Sequence, residues 1–235
     1  MHLQNSEPPF NRLLASLPRV DAERLDTSTT TVLLSQFTVL NQPGDEIEHI
    51  YFPHSGMISL LVVMRDGEAV ETATVGREGA VGMMAGLGLH ITQTRTVVQV
   101  PLVASRIAAA QFRKAVQASV TLRDLIVRYN EVLLGQVQFV AACNALHPIQ
   151  SRLARWILQT RDRIDDDQVP LTQELLSQML GVRRGSISEI ASKLQTAGLI
   201  TYHRGAIEIL DRAGLEKVAC ECYEAIKERA QKILS

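Results

Sequence analysis

The chain has 235 residues, a formal net charge of −1, 46% hydrophobic residues and 21% charged residues. This composition is typical of a globular protein, and the length suits two modest domains with cores of their own. No apolar run approaches the roughly 18 residues of a membrane span, and no basic-then-apolar leader opens the chain. We therefore expect a cytoplasmic protein without a membrane partner.

Short strands dominate the first half of the chain, after one or two short helices. Two amphipathic stretches, Phe10–Leu17 and Arg19–Leu25, are separated by Pro18 and predict these helices. Runs rich in β-branched and aromatic residues then alternate with turn segments that contain Gly, Pro, Asn and Asp. Their regular spacing indicates a double-sheet jelly roll or barrel. The predicted strands are Val32–Leu34, Phe37–Leu40, Ile50–Phe52, Met57–Met64, Ala69–Val75, Thr94–Val100 and Leu102–Ile107.

A long helix is predicted from about Val120 to Leu146, after a short one over Gln111–Ala118. Its apolar positions alternate in steps of four and three residues, which is typical of a coiled-coil seam. We interpret this seam as a parallel homodimer interface, with one polar interruption that could fix the register. The predicted interface residues are Leu122, Ile126, Tyr129, Leu133, Gln136, Val140 and Cys143. The alternative is a helix packed on its own domain, because Val132 and Phe139 widen the apolar face.

Two helices joined by a tight turn and followed by a hairpin are predicted near the C-terminus. Thr172 can cap a helix over Gln173–Leu180, and Gly181 ends it because glycine enters the left-handed conformation at no steric cost. A second helix runs from about Arg184 to Ala197, and residues 199–202 and 206–210 form the two strands. This order is that of a winged helix-turn-helix. The flanking predicted helices are Ile149–Ile164 and Arg212–Leu234.

A winged helix-turn-helix points to double-stranded DNA as the partner. The second helix fits the major groove with its N-terminal residues at the base edges, and the first helix lies across the backbone. Arginine can bind guanine with two hydrogen bonds, and glutamate can accept from cytosine. Lys193 and Arg204 are placed for phosphate contacts. The predicted DNA-binding residues are Thr172, Gln173, Arg183, Arg184, Gly185, Ser186, Ser188, Glu189, Lys193 and Arg204.

The C-terminal segment resembles the DNA-binding domain of the cyclic-AMP receptor/fumarate-nitrate regulator (Crp/Fnr) superfamily of bacterial transcription factors. The matching residues are Leu171–Glu174, Leu180–Val182, Arg184, Ser186–Ile187, Leu194 and Gly198–Ile200. The first half is similar to the cyclic-nucleotide-binding β-roll of the same superfamily through Pro43–Asp45, Ile50–Phe52, Ser55–Ile58, Asp66–Gly67 and Gly79–Gly82.

The resemblance implies an α+β protein with three parts. An N-terminal double-stranded β-helix, the cyclic-nucleotide-binding-like sensor domain, covers residues 1–118, and a dimerisation helix covers 119–146. The winged helix-turn-helix domain with its C-terminal helix covers residues 147–235. The implied function is that of a homodimeric regulator that reads a near-palindromic operator and contacts or blocks RNA polymerase.

Two positions in the second helix differ from the familiar pattern of the superfamily. Members that read the familiar half-site carry a glutamate directly after the arginine and a second arginine four residues later. Here Gly185 and Glu189 occupy those positions. We expect the docking mode to carry over and the operator sequence to differ.

The nucleotide pocket also departs from the superfamily. In nucleotide-binding members a Gly-Glu step and an Arg-Xaa-Ala segment hold the ribose and the cyclic phosphate. The corresponding step here is Gly82-Met83, Thr94 takes the position of the phosphate-binding arginine, and Arg95 and Thr96 follow. A shift of one residue along a strand turns a side chain to the opposite face. We therefore expect weak or absent cyclic-nucleotide binding at this effector pocket.

No metal or other cofactor is expected from the sequence. The chain has three cysteines, Cys143, Cys220 and Cys222, an odd number that gives no framework of disulfide pairs. Cys220 and Cys222 lie two residues apart on one predicted helix and so do not face each other. We interpret them as reduced structural thiols, because no nearby Cys or His completes a ligand set. Oxygen-sensing members of the superfamily carry a cysteine cluster near the N-terminus, and this chain has no cysteine before Cys143, so the resemblance implies that there is no iron–sulfur cluster. A lone His90 argues against haem.

An enzyme is not expected, since the sequence has no Walker loop, metal-ligand set or nucleophile motif. The alternative to a transcription regulator is a small-molecule sensor or scaffold with a vestigial DNA-binding domain.

Overall fold

The computed structural model describes residues 11–164, 166–203 and 205–234, which form two compact units. The first unit contains residues up to Leu60 together with Thr74–Asn130, and the second contains Leu61–Ala73 together with the chain from Glu131. Residues from Leu61 to Ala73 thus group with the C-terminal half. Phe10, at the start of the first predicted helix, lies outside the described residues.

The first half of the chain contains a five-stranded sheet with the strand order β1-β5-β3-β4, and β2 pairs with β5. β1 pairs with β5 from Thr29 opposite Ile107 to Leu34 opposite Leu102. A 3₁₀ helix over Met83–Leu87 follows β4. The elements are α1 (Arg12–Ala15), α2 (Arg19–Asp26), β1 (Thr29–Leu34), β2 (Val39–Asn41), β3 (His49–Val63), β4 (Ala69–Val75), β5 (Arg95–Ala108) and α3 (Ala109–Gln117).

Two breaks predicted in this sheet are wrong. β3 continues through Pro53 to Gly56, and β5 continues through Pro101. Gly56 has a φ of +78°, and a Cβ built there would lie 2.1 Å from the carbonyl oxygen of Pro101. The glycine therefore lets two strands of the unit approach closely inside the sheet and does not mark a turn.

The second unit contains the C-terminal helices and a three-stranded sheet of order β6-β8-β7. The predicted hairpin is confirmed as β7 and β8, and a strand that the sequence pattern did not indicate, β6, pairs with β8. Its elements are the later part of α4 (Val120–Leu146), α5 (Ile149–Ile164), β6 (Gln168–Pro170), α6 (Gln173–Leu180), α7 (Arg184–Thr196), β7 (Ile200–His203), β8 (Ala206–Ile209), α8 (Arg212–Val218) and α9 (Cys222–Leu234).

The core of the second unit forms around α5. Trp156 is 2% exposed, and its indole Nε1 donates a hydrogen bond of 2.6 Å to Oε1 of the buried Glu71. From α5, Asp162 accepts hydrogen bonds from Arg212 of α8 and from Tyr223 of α9. These contacts fix α5, the helix that precedes the helix-turn-helix, from two sides.

The single C-terminal helix predicted over Arg212–Leu234 is wrong, since the structure has two helices. α8 ends at Val218, and Ala219 has an extended backbone with φ −61° and ψ 150°. α9 begins at Cys222. Cys220 therefore lies in a turn and not on a helix, so its direction does not follow the helical repeat.

The predicted dimer seam on α4 needs a correction. Among its seven residues, Leu122, Ile126, Tyr129, Gln136 and Cys143 are buried within the chain, each at most 6% exposed. A surface for a second copy cannot consist of these side chains, because they already pack inside their own units. Leu133 and Val140 are half-buried. On this face, α4 therefore packs against its own chain, as the alternative interpretation of the pattern expects.

A different face of α4 is exposed and apolar. Val120, Val127 and Leu134 follow at intervals of seven residues and are 63%, 60% and 46% exposed, and Val137 is 36% exposed. Ala141 continues the same interval and is also exposed. We call these five residues the outer stripe. None of the helices in the described part of the chain is long and apolar enough to cross a lipid bilayer.

Candidate nucleic-acid interface

Local capping fixes both ends of α6, the first helix of the helix-turn-helix. The hydroxyl oxygen of Thr172 accepts a hydrogen bond of 3.2 Å from the amide of Leu175. At the other end Gly181 adopts φ +61°, and the guanidinium of the buried Arg152 donates to the carbonyl oxygen of Leu180. The helix therefore begins and ends where the sequence predicts, with the amide of Leu175 and the carbonyl oxygen of Leu180 hydrogen-bonded by side chains.

The Thr172 cap leads to a stability prediction. Thr172→Ala removes the oxygen that accepts from Leu175, so we expect the free energy of unfolding to fall by about 1 kcal/mol. Thr172→Ser keeps the oxygen and serves as the matched control, with no loss of capping free energy expected because serine caps at least as well as threonine. Urea unfolding followed by circular dichroism measures both variants. Equal losses for alanine and serine would show that the hydroxyl cap does not stabilise the helix.

α7 has one buried face and one exposed end. Ile187, Ile190, Ala191 and Leu194 are each no more than 9% exposed, as the sequence predicts. Arg183, the residue that caps the helix, has an extended backbone and makes no side-chain capping hydrogen bond. No side-chain cap therefore occupies the first backbone N–H groups of α7, and the amide of Ser186 donates to the carbonyl oxygen of Arg183.

Several of the predicted DNA-contacting residues are exposed at this end of the helix. Arg183, Arg184 and Gly185 are exposed, and Ser186 is half-buried. A Cβ at Gly185 would meet no atom within 4 Å, so open space surrounds this position. The arrangement presents two exposed guanidinium groups at the N-terminal end of the helix.

The two helices are joined by a polar contact. The hydroxyl of Ser188 donates a hydrogen bond of 2.8 Å to the side-chain oxygen of Gln173 at the start of α6. Both residues line a shallow groove that continues past Gln195 to Tyr202 of β7. The hydrogen bond joins Ser188 and Gln173 into one continuous polar surface that DNA can contact.

Glu189 and Lys193 form an exposed ion pair one helical turn apart. The ammonium nitrogen of Lys193 lies 2.7 Å from Oε1 of Glu189. The hydrogen bond and the positive charge of Lys193 lower the pKa of the Glu189 carboxyl group. Because exposed ion pairs are weak, Lys193 can exchange this partner for a phosphate at little cost.

Of the other predicted DNA-binding residues, Thr172 is exposed beside α6, and Arg204 lies outside the described residues. The predicted hairpin is present as β7 and β8, and His203 at the end of β7 is exposed.

The residues predicted for the effector pocket differ in their burial. Met83 is 4% exposed and Thr96 is 2% exposed, so both contribute to the interior of the β domain. Gly82 precedes Met83 with φ +88°. Arg95 instead lies at the surface, where its Nε donates a hydrogen bond of 2.8 Å to Gln42, and Thr94 is half-buried.

The sequence did not indicate one cluster of side chains with metal-binding atoms. The expectation that no further Cys or His lies near Cys220 and Cys222 is wrong, since the structure places Cys143 and His147 beside them. The spacing of Cys143 and His147 could have indicated half of this set, because residues four apart share a helix face.

Family models match most of the chain. Residues 151–218 match the Crp-like helix-turn-helix domain, and residues 32–119 match the cyclic nucleotide-binding domain. A comparison with curated proteins gave no match.

Solved structures share the fold at low sequence identity. FixK2 from Bradyrhizobium japonicum is 14% identical with a TM-score of 0.70, over 82% of this chain and 98% of that one. The c-di-GMP-responsive global regulator CLP of Xanthomonas campestris is 16% identical with a TM-score of 0.66, over 82% and 99%. A CRP-family transcriptional regulator of Thermus thermophilus, TTHB099, is 18% identical with a TM-score of 0.67, over 80% and 96%.

The two family models agree with the observed fold, which has a β domain followed by a winged helix-turn-helix. The chain belongs to the Crp/Fnr family of transcription regulators.

Proposed function

We propose that the protein is a homodimeric, sequence-specific DNA-binding regulator that is not gated by cyclic AMP. The observation that carries this proposal is the exposed N-terminal end of α7, with Arg183 and Arg184 at its tip. The buried opposite face and the Ser188–Gln173 hydrogen bond hold that end in a fixed direction. A regulator that works in this way acts by occupying DNA, in the cytoplasm, and by contacting or blocking RNA polymerase, and needs no catalytic residue.

The outer stripe of α4 supports a homodimer. Its large members are 36% to 63% exposed in one chain, and three of them recur every seven residues. A stripe of this kind favours pairing with a second copy of the same helix. Because a two-fold axis gives two reading helices, a near-palindromic operator follows, with half-sites about one turn of DNA apart.

The polar groups that bind a cyclic nucleotide are replaced. A buried thioether at Met83 cannot accept hydrogen bonds from ribose hydroxyls as a carboxylate does. The guanidinium of Arg95 is held at the surface by Gln42. A charge-assisted guanidinium–phosphate contact is among the stronger polar interactions, so its loss removes most of the affinity.

We therefore expect no binding heat when cyclic AMP or cyclic GMP is titrated into the protein at micromolar concentration. Isothermal calorimetry measures this directly, and a characterised cyclic-AMP receptor provides the positive control. Micromolar affinity for either nucleotide would contradict the proposal that gating by cyclic nucleotides is lost.

The competing function is a small-molecule sensor or scaffold that has lost DNA recognition. Gel-shift assays on genomic fragments with excess random DNA separate the two. A regulator retains a few fragments against the competitor, whereas a scaffold binds all fragments alike and only at low salt. Retention of no fragment above the random background would favour the scaffold.

A further inference from the structure

Four side chains with metal-binding atoms lie together in the second unit. Cys143 lies in the last turn of α4, and His147 directly follows this helix. Cys220 lies between α8 and α9, and Cys222 is the first residue of α9. Their three sulfur atoms and the imidazole nitrogen all lie within 4.8 Å of one another. Since 77 residues separate Cys143 from Cys220, only the fold brings them together.

The distances have the size of a tetrahedral metal site. The Sγ atoms of Cys143 and Cys220 are 3.4 Å apart, and the Sγ of Cys222 is 3.6 Å from Nδ1 of His147. A zinc ion with Zn–S bonds of about 2.3 Å and a Zn–N bond of about 2.05 Å requires edges of about 3.8 Å and 3.6 Å between its ligands. The four groups therefore need only small shifts to share one ion.

A second contact orients the histidine as a ligand. Nε2 of His147 lies 3.1 Å from a carboxylate oxygen of Glu221, while Nδ1 faces the sulfur atoms. With the proton on Nε2 donated to Glu221, the lone pair of Nδ1 is free for a metal. This carboxylate–histidine pairing is the usual outer contact of metal-binding histidines.

The surroundings of the cluster suit a site with a net negative charge. The three cysteines are at most 7% exposed, and Phe139 and Ile226 pack against them. Three thiolates and one divalent cation carry a net charge of −1, and two buried guanidinium groups, Arg152 and Arg155, interact electrostatically with Cys143. Nε of Arg152 and Nε of Arg155 are buried without a hydrogen-bond partner among the described residues.

We infer that Cys143, His147, Cys220 and Cys222 form a Cys₃His site for a zinc ion. All four positions of a tetrahedral ion are filled by protein, which is the pattern of a structural rather than a catalytic zinc site. The ion would fix the α8–α9 turn to the end of α4. The pair of Arg229 and Glu131, 3.0 Å apart, holds α9 against α4 further along, so the metal completes the attachment at the other end.

Metal analysis of the untagged full-length chain, purified under reducing conditions, tests this site without any use of DNA. We expect about one zinc ion per chain by elemental mass spectrometry. Cobalt added to the chelated, reduced protein should give the absorption bands of tetrahedral thiolate coordination and saturate at one equivalent. No such spectrum and no stoichiometric zinc would overturn the inference.

Substitutions assign the ligands. His147→Ala should weaken zinc binding at least about tenfold, and Cys220→Ser should abolish the four-coordinate cobalt spectrum. His90→Ala, at an exposed histidine of the first unit, is the matched control and should change neither property. If Cys220→Ser does not fold by circular dichroism, the wild-type cobalt titration and His147→Ala still decide the question.

Two outcomes would contradict the site even if zinc is found. Undiminished zinc in both His147→Ala and Cys220→Ser would place the ion elsewhere on the chain. A disulfide between Cys143 and Cys220 that forms in air, together with no metal uptake after reduction, would identify the cluster as a thiol pair instead. Failure of the zinc test leaves the proposed DNA recognition unaffected, because the two are measured separately.

Discussion

Replacement of both Val127 and Leu134 by aspartate is expected to convert the protein into a monomer and to lower its apparent operator affinity by about 10²–10⁴-fold. In the proposed dimer each copy contributes both residues, so the double variant would place four carboxylates in one small apolar contact. The helices would separate, because the burial of unpaired charges costs more free energy than the apolar contact provides. Each helix-turn-helix domain would then bind its half-site alone, without the increase in affinity that comes from the second domain of the dimer. Analytical ultracentrifugation and gel shifts measure the two effects.

A matched control exists in the first unit. Val20 and Leu33 are 64% and 81% exposed, and their replacement by aspartate adds the same charge without touching α4. This control should remain dimeric and bind the operator normally. A Val127→Asp, Leu134→Asp variant that sediments as a dimer would show that the outer stripe is not the interface.

Arg184→Ala is expected to cost about 1–3 kcal/mol on the cognate operator and to relax the base preference at one position of each half-site. Arg184 is exposed at the first position of α7, where a guanidinium can reach the edge of a guanine. Lys193→Ala should instead weaken binding to all sequences alike and reduce the salt dependence, since a phosphate contact carries no sequence information. Competition assays on the operator and its single-base variants measure both.

The control for charge alone is Arg19→Ala. Arg19 is an exposed arginine of α2, and its side chain is 89% exposed beside Glu23. Its removal should leave operator binding unchanged. Equal losses for Arg184→Ala on cognate and random DNA would reassign Arg184 to a phosphate contact.

The helix-turn-helix could be predicted from the sequence because its signals are local. Thr172 and Gly181 act within one turn of the helix ends that they fix, and the apolar residues of α7 repeat at helical spacing. The predicted bounds of α6 are confirmed, and α7 ends within one residue of its predicted end. Local chemistry determines these elements, so no tertiary information was needed.

The errors arise where distant residues decide the structure. Gly56 has the local character of a turn, but its close approach to Pro101 keeps it inside β3. The helix α4 has two apolar faces, and the sequence does not show which of them is buried within the chain. The burial of Leu122 and Tyr129 in the structure shows which face is internal.

The cysteine cluster could not be predicted for a similar reason. The predicted continuous C-terminal helix would turn Cys220 away from Cys222. The break at Ala219 and the pairing with α4, 77 residues earlier in sequence, are tertiary features. A helical repeat cannot reveal them.

Footprinting on an operator selected from genomic DNA distinguishes a two-fold symmetric dimer that reads two half-sites from a protein that does not. We expect two protected half-sites about one helical turn apart, related by a two-fold axis. We also expect protection of the major groove, which Arg184→Ala weakens at one base of each half-site. Protection of a single half-site by a stable monomer, or no protected sequence at any concentration that retains specificity, would contradict these expectations.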